Sequence, residues 1–115
     1  MRGDLGDKSR LQHIMDAVLE IESYVAQAGS KEFMDSSMMR FACIKQLEII
    51  GEASNHISEK TRSLFPNVEW AQIVGMRNMF VHEYFGLDPN IVWDIVQKDL
   101  PELKEIVLEM LSAFE

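Results

Sequence analysis

Apolar residues recur at three- and four-residue steps along most of the chain, a spacing that predicts amphipathic helices. In the first such stretch, which begins at Asp7, they are Leu11, Ile14, Met15, Val18, Ile21 and Val25. Gly29 suits the C-terminal stop of that helix, and residues 1–6 are expected to form a frayed lead-in. No stretch alternates every two residues, and no Asn-Gly or Asp-Gly pair supplies a hairpin turn. The pattern therefore predicts an all-α protein.

The second predicted helix is apolar around an unusually wide arc. It is expected to begin near Asp35 or Ser36, either of which could cap it, and to continue to about Ile57. A helix with so broad an apolar surface is either central in the core or shared between the core and a partner. Gly51 lies in its middle, where glycine costs about 1 kcal/mol relative to alanine. We expect this glycine to allow the close approach of another backbone.

Start signals divide the rest of the chain into three more helices. Trp70 begins the third helix, which is expected to end near Gly86. Asp88 and Pro89 begin a short fourth helix, with the acid as N-cap and the proline in the first turn. The same signal at Asp99-Leu100-Pro101-Glu102 predicts that the last helix begins afresh there. We expect one domain, residues 1–115, folded as a bundle of four main helices plus a short one.

Composition narrows the class of protein. The chain is 47% hydrophobic and 26% charged, as in an ordinary soluble globular domain. No apolar run approaches the ~20 residues of a membrane span, and the N-terminus lacks the apolar core of a secretion signal. Cys43 is the lone cysteine, so there is no disulfide framework. These features predict a cytoplasmic protein without membrane contacts.

The formal net charge of −8 bears on the choice of partner. Affinity for nucleic acid comes largely from lysine and arginine, which release counterions from the phosphates. This chain lacks a basic surface overall. Any action on RNA would therefore need a local positive cluster, which an oligomer could double, or a basic partner.

Four polar groups of different chemistry lie close together among the large apolar side chains of the third helix. They are Arg77, Asn78, His82 and Tyr84. On an ideal helix Asn78 and His82 share a face, whereas Arg77 and His82 lie about 140° apart. The long arginine could swing part of the way across that angle, or the arginine of a second chain could complete the group.

These side chains suit the metal-free cleavage of RNA. A guanidinium can hold a phosphate by two hydrogen bonds, and an imidazole can exchange protons near neutral pH. An amide can orient either group. The reaction, in which the 2′-hydroxyl attacks its own phosphate, needs both an acid and a base, yet one chain offers one histidine here. Two histidines across a dimer axis would supply both, which is a physical reason to expect a homodimer.

A role in packing alone is the competing interpretation. Arg77 could pair with Glu83 or another acid, and Asn78 could bond a neighbouring helix. Tyr84 could be a half-buried packing residue. Packing is the favoured interpretation of each residue taken singly, but the set as a whole favours a functional site.

Glu52 and His56 are four residues apart and share one face of the second predicted helix, which resembles half of a metal site. The chain offers no second ligand pair at matching spacing. His13 is remote in sequence and is interpreted as a solvated side chain. A pairing of Glu52 with His56 on the helix surface is therefore favoured, and no metal or other cofactor is expected.

The segment Arg77-Asn78-x-x-x-His82-x-Tyr84 resembles the signature of HEPN-domain proteins. More narrowly, it resembles that of the HepT-like toxins of the MntA–HepT type of toxin–antitoxin pair. The likeness extends over about residues 40 to 105. It includes Ile49-Ile50-Gly51-Glu52-Ala53, Trp70 with Ile73-Val74-Gly75-Met76, Tyr84-Phe85-Gly86-Leu87-Asp88, Val92-Trp93 and Asp99-Leu100-Pro101-Glu102-Leu103.

The resemblance implies a HEPN helical bundle that forms a homodimer with the two motifs facing each other across a cleft. It also implies a toxin of a type VII-like toxin–antitoxin system, which acts as an endoribonuclease on RNA and not on DNA. Arg77 and His82 then carry over as catalytic residues, and Asn78 as the supporting polar residue. Tyr84 would be the target of an MntA-like antitoxin, a minimal nucleotidyltransferase that attaches AMP to its hydroxyl. The added phosphates would fill the site with negative charge and exclude RNA.

A second function also fits the resemblance. The chain could be a non-catalytic HEPN partner that docks the nucleotidyltransferase, with Arg77 and His82 holding a nucleotide phosphate. The wide apolar arc of the second helix suits such docking as well as it suits homodimerisation.

Overall fold

The fold is known from a computed structural model, which describes residues 2–82 and 88–114, with the side chains of residues 6–79 and 88–114. The helices are α1 (Arg2–Val25), α2 (Ser30–Asp35), α3 (Ser37–Asn55), α4 (Glu59–Leu64), α5 (Trp70–His82), α6 (Pro89–Asp94) and α7 (Leu100–Ser112). A π-helical turn, Ile95–Asp99, joins α6 to α7. The predicted all-α class is confirmed, with α1, α3, α5 and α7 as the main helices and α6 as the short one.

The helix α3 is central in the bundle. It packs against α1 on one side and α5 on the other, while α7 packs against α1. The largest fully buried side chains come from α1, α2, α3, α6 and α7, and they include Phe33, Leu11, Ile14, Ile21, Leu47, Ile50, Val92, Val107 and Met110. The wide apolar arc predicted for α3 is thus explained by packing on two sides.

The helix α5 approaches α3 closely at Gly51. A Cβ built on this glycine would lie 2.9 Å from the Cβ of Arg77 and 3.2 Å from the carbonyl oxygen of Ile73. Real Cβ atoms essentially never come within 3.0 Å of another such atom, so a larger residue at this position would require α5 to shift away from α3. The predicted close approach at Gly51 is confirmed, and it sets the backbone of Arg77 beside the next residue of α3, Glu52.

The N-terminal segment is more ordered than its sequence predicts. The helix α1 begins at Arg2, so the expectation of a frayed lead-in over residues 1–6 is wrong from Arg2 onward. Asp7 is 1% exposed, and its carboxylate accepts hydrogen bonds from Ser58 N at 2.9 Å, Ser58 Oγ at 2.5 Å and Thr61 Oγ1 at 2.5 Å. These contacts tie the start of α1 to the first turn of α4.

Local chemistry explains most of the helix ends. The Ser36 side chain caps α3, as predicted, and accepts a hydrogen bond from Met39 N at 3.1 Å. Gly29 does not end α1, which stops at Val25, but caps α2, where its N–H donates to the Glu32 carboxylate at 2.9 Å. The helices α2 and α4 were not predicted, because six residues are too few to show a helical period.

The last helix begins at Leu100, where it was predicted to start, but Asp99 does not cap it. Asp88 does cap α6, where it accepts a hydrogen bond from Asn90 N at 2.9 Å. Asp99, however, has helical dihedral angles and makes no capping bond, and Leu100 N–H donates to Ile95 O across the π-helical turn. Proline lacks an N–H and crowds the carbonyl four residues earlier. The wider π turn accommodates Pro101 without breaking the helix.

Across residues 2–82 and 88–114, no helix has both the length and the apolar character needed to cross a membrane.

Candidate active site

The helix α5, which carries the predicted motif, lies at the edge of the bundle. Between Trp70 and Met79 every side chain is half-buried or exposed. The packing of α5 rests on α3, against which it lies closely at Gly51. Its apolar side chains and its polar groups are therefore both partly open to a ligand or to another chain.

Arg77 is held from one side by an acid on the neighbouring helix. Its Nε lies 2.7 Å from Glu52 Oε2, and both side chains are about half exposed. Its Nη1 makes a longer contact of 3.4 Å with Asn78 Oδ1. Because the carboxylate binds at Nε, it occupies one edge of the guanidinium and leaves the other edge, formed by the two terminal nitrogens, geometrically suited to grip a phosphate.

Glu52 holds a second partner through its other oxygen. Its Oε1 lies 3.2 Å from His56 Nε2, so the predicted surface pairing of these two residues is confirmed. The competing interpretation that Arg77 pairs with an acid is also confirmed, with Glu52 as that acid. The sequence analysis did not predict that Glu52 joins the two pairs. Gly51 was the one indication of this contact, because a close approach at Gly51 brings Glu52 next to the facing helix.

The remaining motif residues lie at or beyond the end of α5. His82 is the last residue of the helix, one turn after Asn78, so the two positions fall on one helix face. The His82 side chain, Glu83 and Tyr84 lie outside the described residues. The assignment of Arg77, Asn78 and His82 as catalytic residues, and of Tyr84 as a modification site, therefore stays a prediction.

An apolar groove opens beside α5, on the side that faces α7. Its volume is about 400 Å³, and its lining includes Ile73, Met76 and Met79 from α5 and Leu103 and Ile106 from α7. The floor is Leu47 of α3. Among the described residues, no three His, Cys, Asp or Glu side chains come together as a group that could hold a metal ion.

The comparisons with known proteins agree on one family. A family model described as "Ribonuclease HepT-like" matches residues 14–110. "Putative RNase MJ1380" of Methanocaldococcus jannaschii is 40% identical over 87% of this chain and 92% of that protein. "Probable ribonuclease HepT" of Thermococcus cleftensis is 36% identical over 84% of this chain and 88% of that protein. No solved structure matches the chain. The chain belongs to the HepT-like ribonuclease family, as its motif predicted.

Proposed function

We propose that this protein is a metal-independent endoribonuclease, with Arg77, Asn78 and His82 at its active site. The observation that carries the proposal is the contact between Arg77 Nε and Glu52 Oε2 at 2.7 Å. A guanidinium fixed at this edge is oriented before substrate arrives, and such preorganisation of charge is the largest contribution to many enzymatic rates. Membership of a ribonuclease family supports RNA as the substrate.

The proposed reaction is an internal transfer at phosphorus. The ribose 2′-oxygen bonds to the adjacent phosphorus while the bond from phosphorus to the 5′-oxygen breaks. The 2′-hydroxyl proton passes to one His82 imidazole acting as base, and the leaving 5′-oxygen takes a proton from an acid. The products are a 2′,3′-cyclic phosphate and a 5′-hydroxyl. Arg77 stabilises the charge that builds on the phosphate oxygens, and Asn78 orients the reacting groups.

The acid and the base are proposed to be the two His82 residues of a homodimer. One chain supplies a single histidine in the motif, whereas a twofold axis brings a second copy of the same surface. The half-exposed apolar side chains of α5 and the groove beside it support an interface at this edge, because exposed apolar patches commonly mark interaction sites. In a dimer of this kind each cleft would be built from two copies of α5.

In the cell the protein is proposed to be the toxin of a type VII-like toxin–antitoxin pair. The cognate antitoxin would be an MntA-like nucleotidyltransferase that transfers AMP from ATP to the Tyr84 hydroxyl, with pyrophosphate as the leaving group. Each AMP would add a charged phosphate at a residue two positions along the chain from His82, the proposed catalytic histidine. Modified Tyr84 would thereby inhibit cleavage. A gain in mass in the Tyr84→Phe variant, after incubation with the partner and ATP, would refute this site.

The proposed activity is tested by incubating the purified protein with tRNA and mRNA in the presence of EDTA. The wild-type protein is expected to cleave RNA and to leave 2′,3′-cyclic phosphate ends, while Arg77→Ala and His82→Ala are expected to be inactive. Lys31→Ala is the matched control, because it removes an exposed cation of α2 whose pairing with Asp35 is remote in sequence from the motif. Absence of cleavage by a folded, unmodified dimer contradicts the proposal and favours the docking function, which predicts binding of ATP without growth arrest.

A further inference from the structure

A groove that carries several polar side chains lies between α1 and α3, on the other side of Glu52 from Arg77. This α1–α3 groove has a volume of about 360 Å³. Ser9, Arg10 and His13 line it from α1, and Glu52 and His56 line it from α3. His13, interpreted from the sequence as solvated, is indeed exposed, but it lies at the wall of this groove.

The groove has the donors that a phosphate needs. Arg10 presents a guanidinium, and the imidazole of His13 can donate an N–H to a phosphate oxygen in either charge state. His56 Nε2 already contacts the Glu52 carboxylate, so His56 can donate an Nδ1–H to a phosphate only when it is protonated. The Ser9 hydroxyl adds a further donor. Glu52 is the single acid among the residues that line the groove, although the chain as a whole has a net charge of −8.

The acids nearest to these donors are already engaged. Glu52 is shared between Arg77 and His56, so its charge is balanced within the site. Asp7 does not line the groove and is buried. Burial raises its pKa, but hydrogen bonds from Ser58 and Thr61 and the charge of Arg10 lower the pKa overall. Asp16, the next acid along α1, does not line the groove and accepts a hydrogen bond from Gln12 at 3.1 Å.

The groove is continuous with the active site through one carboxylate. Glu52 Oε1 contacts His56, and Glu52 Oε2 contacts Arg77. A single carboxylate therefore bridges the imidazole and the guanidinium and holds them close together. Phosphate-binding groups therefore lie on both sides of Glu52. A free nucleotide carries its phosphates in one cluster, whereas an RNA strand carries one at every residue. Two phosphate sites separated by an acid fit the strand better.

We propose that the α1–α3 groove binds a backbone phosphate of the RNA strand whose scissile phosphate is held at Arg77. The site rests on the proposed ribonuclease function and explains how an acidic protein engages RNA. It contributes affinity through sequence-independent contacts, because phosphates carry no base information. It therefore acts on the binding of RNA and not on the chemical step.

Substitution of Ser9 tests the groove without touching the motif or Asp7. Ser9 is exposed, so Ser9→Glu and Ser9→Lys add opposite charges at the same place. The probe is a fluorescent 2′-O-methyl RNA oligonucleotide, which cannot be cleaved, and the readout is its Kd by anisotropy across a salt series. We expect Ser9→Glu to raise the Kd and Ser9→Lys to lower it, each by roughly two- to fivefold at low salt. In a plot of log Kd against log salt concentration, the slope should be shallower for Ser9→Glu, by roughly 0.7 for each phosphate that the groove no longer binds.

Ser112→Glu and Ser112→Lys are the matched controls, since they make the same charge changes at an exposed helical position of α7 that does not line the groove. Equal effects of the Ser9 and Ser112 pairs would mean that only net charge matters, and would overturn the proposal. Absence of RNA binding by the wild-type protein would overturn it as well. If ATP binds and its affinity changes across the Ser9 pair while that of RNA does not, the groove is a nucleotide site and the RNA assignment fails.

The binding assay separates this proposal from the proposed catalytic function. A wild-type protein that fails to cleave RNA in EDTA, yet binds the uncleavable oligonucleotide with the expected dependence on Ser9, refutes the nuclease and retains the groove. In an active enzyme, the Ser9 variants should change KM by the same factors as Kd and leave kcat unchanged. A change in kcat with no change in KM would refute the assignment of the groove to binding.

Discussion

The two sides of α3 are built in different ways. Apart from the α1–α3 groove at the surface, the side that faces α1 is closed: Leu11, Ile14 and Val18 of α1 are at most 1% exposed, and the buried carboxylate of Asp7 has its hydrogen bonds satisfied. The side that faces α5 is open, with half-exposed apolar residues and an ion pair at the surface. Burial of apolar area dominates folding free energy, so the α1 side stabilises the bundle. The α5 side is left free to hold a site.

The largest effect is expected on the open side, where α5 approaches the backbone of α3 at Gly51. Gly51→Ala places a Cβ 2.9 Å from the Cβ of Arg77 and 3.0 Å from its backbone nitrogen, so α5 must shift away from α3. We expect a loss of about 1–3 kcal/mol in the free energy of unfolding, although alanine is the better helix former. RNA cleavage should fall as well, since the shift moves Arg77. Urea denaturation and the EDTA cleavage assay measure the two effects.

Gly75→Ala provides the matched control, because a Cβ at Gly75 of α5 meets no atom within 4 Å. It should stabilise the protein by about 0.5–1 kcal/mol through helix propensity alone. If Gly51→Ala stabilised the protein to the same extent, the close contact would not constrain the packing of α5 on α3.

An intermediate effect is expected on the closed side, where Asp7 couples stability to pH. Burial opposes the ionisation of Asp7, but hydrogen bonds from Ser58 and Thr61 and the charge of Arg10 give it a net lowered pKa in the folded state. A lowered folded pKa stabilises the protein above the pKa of the unfolded chain, near 3.8. That stabilisation is lost as the pH falls from there through the folded value.

Asp7→Asn should remove this pH dependence and cost about 1–3 kcal/mol at neutral pH, because it replaces a charged acceptor of buried hydrogen bonds. Thermal unfolding followed between pH 2 and pH 7 measures it. Asp16→Asn on the same helix is the control, as Asp16 is exposed and accepts only a local bond from Gln12. Identical pH profiles for the two variants would show that Asp7 is not the linked group.

Much of the fold could be predicted from the sequence because its signals are local. The periods of α1, α3, α5 and α7 and the caps at Ser36 and Asp88 depend on residues within a turn or two. One error arose where contacts between residues far apart in the sequence determine the local structure. Asp7 is ordered by Ser58 and Thr61, residues more than 50 positions away, and no local pattern indicates that partnership. At Asp99 the start of the last helix was predicted correctly, but the expected capping bond does not form, because a π turn links α6 to α7 there.

The candidate site likewise has parts that the sequence predicts and a part that it does not. The motif from Arg77 to Tyr84 could be recognised because its residues are contiguous, and the pairing of Glu52 with His56 follows from helical spacing. The ion pair of Glu52 with Arg77 could not be derived, since it depends on how two helices are aligned. Gly51 predicted that a helix would approach, but not which residue would face it.

The smallest effect on stability, with a distinct effect on catalysis, is expected for Glu52→Gln. The pair with Arg77 is about half exposed, so its loss should change the free energy of unfolding by only about 0–1 kcal/mol. The guanidinium, however, loses the charged acceptor that orients its Nε. Small displacements of a catalytic group can cost up to roughly 100-fold in rate, and we expect kcat for RNA cleavage to fall by roughly 10-fold or more.

The Michaelis constant distinguishes positioning of Arg77 from general damage. Glu52→Gln removes a negative charge that faces both Arg77 and the α1–α3 groove, so KM should stay constant or fall while kcat falls. A damaged fold would instead raise KM. Glu48→Gln, one turn earlier on α3 and paired with Lys45 at 3.7 Å, is the control and should leave both constants unchanged.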